Sequence, residues 1–256
     1  MTPPVFFFRG LNTYGDDLMH LGPLSPGPIY GPLQQELEKN GVHFVPVTGM
    51  GSGDFATVLE NARTSLMCNP TWQQSSSAHF LGHSMGALIA RSLVQTPEIA
   101  AKVQSLTSYG SPHQGTTAAD RIVNLQPQHK AMLKVLGWNP DVKIPMLSHL
   151  TPAAMQKFNH QTPNIDGVSY TSAVCATPYE DFTPAMKIIA SVNGHKSIES
   201  DGMVSADSQR HGEVLGRFAL DHITELGFFW DISMARKMRH HSEFVRLLKA
   251  FRQMWA

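Results

Sequence analysis

Short apolar runs bounded by glycine and polar residues alternate along the chain with stretches whose apolar positions recur every three or four residues. That is the pattern of buried strands separated by helices packed on a parallel sheet, and it predicts an α/β fold. Val5-Phe6-Phe7-Phe8 predicts a first buried strand and residues 42–47 a second. Between them, residues 15–32 are rich in Gly and Pro and read as loop, while residues 33–40 form a short helix that Gly41 stops. Asp54 can cap a helix from Phe55 to about Met67, and residues 73–77 read as polar loop. Ala78, Phe80 and Leu81 suit a buried strand, and Ala87, Leu88, Ile89, Ala90 and Leu93 suit a helix on a sheet. Residues 103–109 and 167–174 predict further strands. Thr151-Pro152 opens a helix that ends near Asn159.

Residues 117–150 break the alternation. Met132, Leu133, Val135, Leu136 and Trp138 lie in a helical pattern flanked by Pro127, Pro140 and Pro145. An insert that is apolar on one face is what a lid over a greasy acyl pocket needs, and a static helical cap fits the same pattern. The expected organisation is one domain over 1–256 with a lid or cap insertion at about 117–160. At the end of the chain, Phe244, Leu247, Leu248 and Phe251 fall at helical spacing with basic residues between them. A final helix packed on the sheet is the preferred reading, over a membrane-surface helix.

Composition narrows this picture more than it adds to it. A length of 256 residues suits one α/β domain with a sizeable core. Formal net charge is zero and charged residues make up 16%, so no nucleic-acid partner is expected. Cys68 and Cys175 are either free thiols or one disulfide, which leaves the redox compartment open. The N-terminal apolar run is too short for a leader and has no basic residue before it. No run is long enough to span a bilayer. The sequence as written points to the cytoplasm, with secretion after loss of a leader as the alternative. Thr48-Gly49-Met50-Gly51-Ser52-Gly53 is no phosphate loop, because no Gly-Lys-Ser/Thr follows it.

The chemistry centres on Gly82-His83-Ser84-Met85-Gly86, which matches G-x-S-x-G between the expected strand and helix. A serine thrown forward on such a turn sits in a strained backbone conformation, and the flanking chain passes very close to itself. The residues two before and two after it must then be tiny, and both are glycine. Ser84 would stand at a helix N-terminus, where the N–H of Met85 can stabilise an oxyanion. An ordinary strand–turn–helix crossover with a loop serine is the competing reading.

Other candidates follow from position. Arg9-Gly10-Leu11-Asn12 follows the first strand, at the sheet edge where open α/β sheets bind ligands, and the Leu11 N–H can be a second oxyanion donor. His113, in Ser111-Pro112-His113-Gln114-Gly115, reads as a loop histidine that shapes the pocket rather than a catalytic one. Arg9 and His83 join it as expected pocket residues. Asp201-Gly202 is a turn able to present a carboxylate, and His222 precedes a helix. The order Ser84, Asp201, His222 is that of the α/β-hydrolases.

Taken together, Gly82-His83-Ser84-Met85-Gly86, Ser111-Pro112-His113-Gln114-Gly115-Thr116, Leu150-Thr151-Pro152 through Phe158-Asn159, Asp201-Gly202-Met203-Val204 and Asp221-His222-Ile223 resemble the bacterial triacylglycerol lipases of the α/β-hydrolase superfamily. The resemblance runs from about Val5 to Leu226. It implies a mostly parallel sheet with helices on both faces. It also implies Ser84 as nucleophile, His222 as base, Asp201 as orienting acid, and the N–H groups of Leu11 and Met85 as oxyanion hole. The chain departs from the family in two places. Arg9-Gly10 stands where the family usually has His-Gly, and Thr224 stands where several members place an acidic calcium ligand. Asp181 alone is a poor calcium site, so no metal and no cofactor is expected.

The expected activity is that of a carboxylic ester hydrolase, foremost a lipase acting on acylglycerol-type esters, with transient contact to a lipid interface. Short-chain esterase, thioesterase, phospholipase, polyester depolymerase and acyltransferase remain on the same scaffold, and a non-catalytic binding protein is the remote alternative.

Overall fold

A computed structural model describes residues 2–11, 16–21, 24–124 and 145–255. Its centre is a six-stranded sheet. The strands are β1 (Val5–Phe8), β4 (Phe44–Pro46), β5 (Ala78–His83), β6 (Val103–Tyr109), β7 (Ser169–Cys175) and β8 (Glu213–Phe218). They lie in the order β4-β1-β5-β6-β7-β8, and every pairing is parallel. The α/β-hydrolase fold expected from the sequence is the one observed.

The apolar run of β1 shows why the sheet is covered on both faces. Side chains alternate along a strand. Phe6 and Phe8 therefore join Phe80 and one core, while Val5 and Phe7 join Leu81, Tyr109 and the other. The first core is closed by Val58, Ala62 and Leu66 of α2 (Phe55–Cys68) and by α4 (Met85–Leu93). The second is closed by Leu33 and Leu37 of α1 (Gly31–Lys39) and by Phe244, Leu247 and Phe251 of α9 (Met234–Met254). Each buried phenylalanine contributes roughly 2–3 kcal/mol of burial. Asp54 caps α2 as expected, accepting from Thr57 N at 2.8 Å.

Residues 15–32 are not simply loop. They contain an antiparallel hairpin of β2 (Leu18–Leu21) and β3 (Leu24–Pro28). The expected polar loop holds over residues 75–77, while 73 and 74 end a short helix α3 (Pro70–Gln74), capped by Asn69. The remaining helices are α5 (Pro97–Ala100), α6 (Thr117–Val123), α7 (Pro152–Gln161) and α8 (Pro184–Asn193). Residues 125–144 of the expected lid or cap, Met132 to Trp138 among them, fall outside the described residues. Both cysteines are free thiols, Cys68 exposed and Cys175 buried, so the disulfide alternative does not hold. No helix among the described residues is long and apolar enough to cross a membrane.

The register brings the strand ends that matter together. Phe8 pairs with Gly82, and His83 pairs with Tyr109. The loops after β1, β5 and β6 therefore leave the sheet at one level, and the turn at Asp201 and the loop at His222 follow β7 and β8 at the same edge.

Candidate active site

Ser84 follows β5 at once and is the N-cap of α4, with φ 54° and ψ −131°. It is the sole non-glycine among the described residues with a positive φ. L-residues avoid that region at a cost of roughly 1–3 kcal/mol, so the surroundings must hold it. They do so through contact. A Cβ on Gly82 would lie 2.3 Å from Ala87 Cα, and one on Gly86 would lie 2.0 Å from the Phe8 carbonyl oxygen. Gly10 presses on the nucleophile itself, since a Cβ there would meet Ser84 Cβ at 2.8 Å. Ser84 N–H donates to Tyr109 O at 3.0 Å, which ties the turn to β6.

His222 Nε2 lies 3.1 Å from Ser84 Oγ, and its Nδ1 lies 2.8 Å from Asp201 Oδ2. The three residues expected as a triad, drawn from distant parts of the chain, meet in hydrogen-bonding sequence. Asp201 is fully buried and its other oxygen is satisfied: Met203 N and Val204 N donate to Oδ1 at 2.8 and 2.7 Å. Its backbone carbonyl accepts from His222 N at 2.9 Å, so one residue holds both the ring and the main chain of the histidine. Leu11 N–H makes no hydrogen bond among the described residues, and Met85 N–H is a first-turn donor with no intrahelical partner. Both are free to face an oxyanion.

Three expected pocket residues do not line a pocket. Arg9, His83 and His113 are 1%, 3% and 0% exposed. Each is buried because it braces a neighbouring segment. Arg9 ties together Asp17, Gly10 and Gly51. His113 bonds Ser108 and Arg91, stacks on His211 and accepts from Asn159 at its carbonyl. Burial, with His211 and Arg91 nearby, keeps its imidazole well below the usual histidine range and therefore neutral. His83 packs under His222 with ring centroids 4.7 Å apart, and its Nε2 lies 2.8 Å from Glu225 Oε2.

Glu225, Gln209 and Asp221 are the supports that sequence reading missed. Glu225 is fully buried, and one of its oxygens lies 3.6 Å from His222 Nδ1. Desolvation, with Asp201 beside it, raises its carboxyl well above the ordinary range. Desolvation likewise holds His83 well below its ordinary range, so burial disfavours the charged form of both partners in this contact. Gln209 accepts from Cys175 N and donates to Cys175 O, both at 2.7 Å, and reaches Asp201 Oδ2 at 3.3 Å; it links the end of β7 to the acid. Asp221 closes the turn that carries His222, accepting from Thr224 N at 2.9 Å and from Thr183 N at 2.7 Å. The Asp-x-x-Thr spacing in Asp221-His222-Ile223-Thr224 is the signal that could have marked this turn.

The same turn bears on metal chemistry. The Thr224 hydroxyl, at the position of the family's acidic ligand, donates to Asp221 O at 3.0 Å, so hydrogen bonds close the loop locally. Asp181 is engaged by Arg239 at 2.7 Å. Among the described residues, ligand atoms of His83, His222 and Glu225 lie within 4.8 Å of one another. An ion there would compete with the hydrogen bonds that orient His222.

With this geometry in hand, similarity to known proteins is informative. A family model described as palmitoyl protein thioesterase matches residues 4–164. Triacylglycerol lipase 2 of Saccharomyces cerevisiae is 32% identical over 152 residues, which cover 57% of this chain and 45% of that protein. The chain thus spans less than half the length of that curated relative. Among solved structures, a metagenomic carboxyl esterase superposes with a TM-score of 0.72 at 17% identity, covering 99% of this chain and 75% of the other. The Staphylococcus hyicus lipase gives 0.67 at 15% identity, with 98% and 95% covered. A mature Bacillus licheniformis lipase gives 0.65 at 18% identity, with 96% and 92% covered. At these identities the structural likenesses speak to the fold.

Proposed function

The chain belongs to the palmitoyl protein thioesterase family, and on that premise we propose that it is a serine hydrolase cleaving carboxylic esters through an acyl-enzyme, foremost a lipase for acylglycerol-type esters. The observation that carries the reading is the continuous chain Ser84 Oγ–His222 Nε2 and His222 Nδ1–Asp201 Oδ2, at 3.1 and 2.8 Å. The similarity to a yeast triacylglycerol lipase supports the choice of ester.

In the first half-reaction, Ser84 Oγ attacks the acyl carbonyl as its proton passes to His222 Nε2. The negative oxygen of the tetrahedral intermediate is received by the N–H groups of Leu11 and Met85. Loss of one such donor costs on the order of 3 kcal/mol of barrier. His222 then gives its proton to the departing alcohol, and the carbon–oxygen bond to it breaks. In the second half, water attacks the acyl-enzyme as His222 takes its proton, and return of that proton to Ser84 releases the free acid. Asp201 keeps the Nδ1–H tautomer and stabilises the imidazolium, without itself accepting the proton.

A second reading is thioester hydrolysis, favoured by the family match over residues 4–164. The same steps apply, with a thiol leaving in place of the alcohol. Hydrolysis of p-nitrophenyl esters from acetate to palmitate, beside a palmitoyl thioester, separates the two. Ser84→Ala should abolish turnover and leave the fold intact. A rate maximum at long-chain oxygen esters is the expected result, preference for the thioester would select the second reading, and activity retained in Ser84→Ala would refute both.

A further inference from the structure

Arg9 has a carboxylate partner and two carbonyl partners, and it is all but inaccessible to solvent. Its Nε donates to Asp17 Oδ1 at 2.7 Å, its Nη1 to Gly10 O at 3.1 Å and its Nη2 to Gly51 O at 3.0 Å. Asp17 uses its other oxygen to accept from Gly49 N at 2.9 Å. The guanidinium therefore has three fixed directions, anchored in the segment after β4 and in Asp17, and one of them ends on the Gly10 carbonyl.

That carbonyl belongs to the same peptide unit as the Leu11 N–H. A peptide is planar, and in its trans form C=O and N–H point in opposite directions, so holding one aims the other. This unit also lies against the nucleophile: a Cβ on Gly10 would be 3.3 Å from Ser84 Oγ. Leu11 N–H has no hydrogen-bond partner among the described residues, so none of them aims it directly.

We propose that Arg9, locked by Asp17, is a positioning residue for the oxyanion hole, gripping the Gly10 carbonyl so that the Leu11 N–H points at the oxygen on which charge develops. The proposal rests on the serine-hydrolase reading above. It gives the buried cation a task that an apolar brace could not perform, because only a donor can hold a carbonyl oxygen. A preorganised donor strengthens the transition state more than the ground state, so the grip should act on turnover rather than on substrate binding. Arg9→Lys keeps the charge but loses the planar fork, and one ammonium cannot reproduce three diverging bonds. Asp17→Asn leaves Arg9 in place and removes the charge that orients it.

The test uses the full chain with a p-nitrophenyl ester and with a boronic acid, which forms a tetrahedral adduct on Ser84. Arg9→Lys should lower kcat by about 100-fold, and Asp17→Asn by about 10-fold, with KM changed by less than about threefold. Affinity for the boronic acid should fall in step with kcat. Added guanidinium should restore part of the turnover of Arg9→Ala. If kcat and boronic-acid affinity hold in Asp17→Asn and in a folded Arg9→Lys while only the melting temperature falls, Arg9 is a structural brace and the proposal is overturned. A rise in KM at unchanged kcat would overturn it as well. If the wild-type chain hydrolyses neither ester nor thioester, the serine-hydrolase reading fails first and takes the proposal with it.

Discussion

The two halves of the candidate site are held by different forces. The nucleophile half is held by backbone contact. Ser84 keeps its positive φ because Gly82, Gly86 and Gly10 let β5, α4 and the end of β1 approach to distances that no side chain would permit. The acid–base half is held by side-chain hydrogen bonds. Asp201 and His222 sit among Gln209, Asp221, Thr224 and Glu225, each hydrogen-bonded to a partner distant in the chain or across a turn. The first arrangement is steric and fails abruptly. The second is electrostatic and can fail by degrees.

Gly86→Ala should therefore have the largest effect. Its new methyl would sit on the Phe8 carbonyl oxygen at 2.0 Å, where backbone on both sides has no room to yield. Destabilisation beyond about 3 kcal/mol is expected, read as loss of the cooperative thermal transition or of soluble protein. A folded, active Gly86→Ala would break the steric side of the comparison.

Asp201→Asn should come next and should leave the fold standing. The amide keeps the shape but favours the wrong histidine tautomer, and a fall in kcat on the order of 10³–10⁴-fold is expected by steady-state kinetics. Unchanged turnover would show that the hydrogen bonds around His222 do not act through Asp201.

Glu225→Gln should have the smallest effect and the most specific signature. A glutamate in the unfolded chain titrates near 4.3, whereas burial and Asp201 keep the native carboxyl protonated well above that. Between those two values the native state holds a proton that the unfolded state has released. The wild type therefore loses stability as pH rises through this window, by up to about 1.4 kcal/mol per pH unit. Its contribution is fully present only below the unfolded value. Glutamine does not titrate, so the variant should melt close to the wild type near pH 4 and above it at neutral pH. Melting curves from pH 4 to 8 with parallel slopes would show that Glu225 ionises normally in the fold.

Legibility in the sequence follows the same division. The elbow could be read because steric demands act over five consecutive residues and select glycine at fixed offsets. Strand β1 could be read because burial on both faces leaves a continuous apolar run, and β5 because Ala78, Phe80 and Leu81 lead straight into the elbow. β8 escapes that rule: at the sheet edge, Glu213, Val214 and Arg217 are exposed, and the run looks like polar loop. The β2–β3 hairpin was hidden by the glycine and prolines that normally signal turns. Arg9 and His113 read as pocket residues because their chain neighbours lie at the catalytic edge, yet both are buried in the protein. No rule of spacing tells which way a loop side chain turns.

The sequence alone determined the α/β architecture and marked Ser84 as the candidate nucleophile, because each depends on local periodicity or on contacts within a few residues, whereas Asp201 and His222 were expected from residue order and family resemblance. Only the tertiary structure decided what surrounds them: that Glu225 is buried against His83, that Gln209 ties the acid to β7, and that Arg9 reaches from the end of β1 to Gly51. Those choices depend on which groups lose water together. Burial sets the cost of a charge or an unpaired donor, and burial is a property of the packed fold rather than of any stretch of chain.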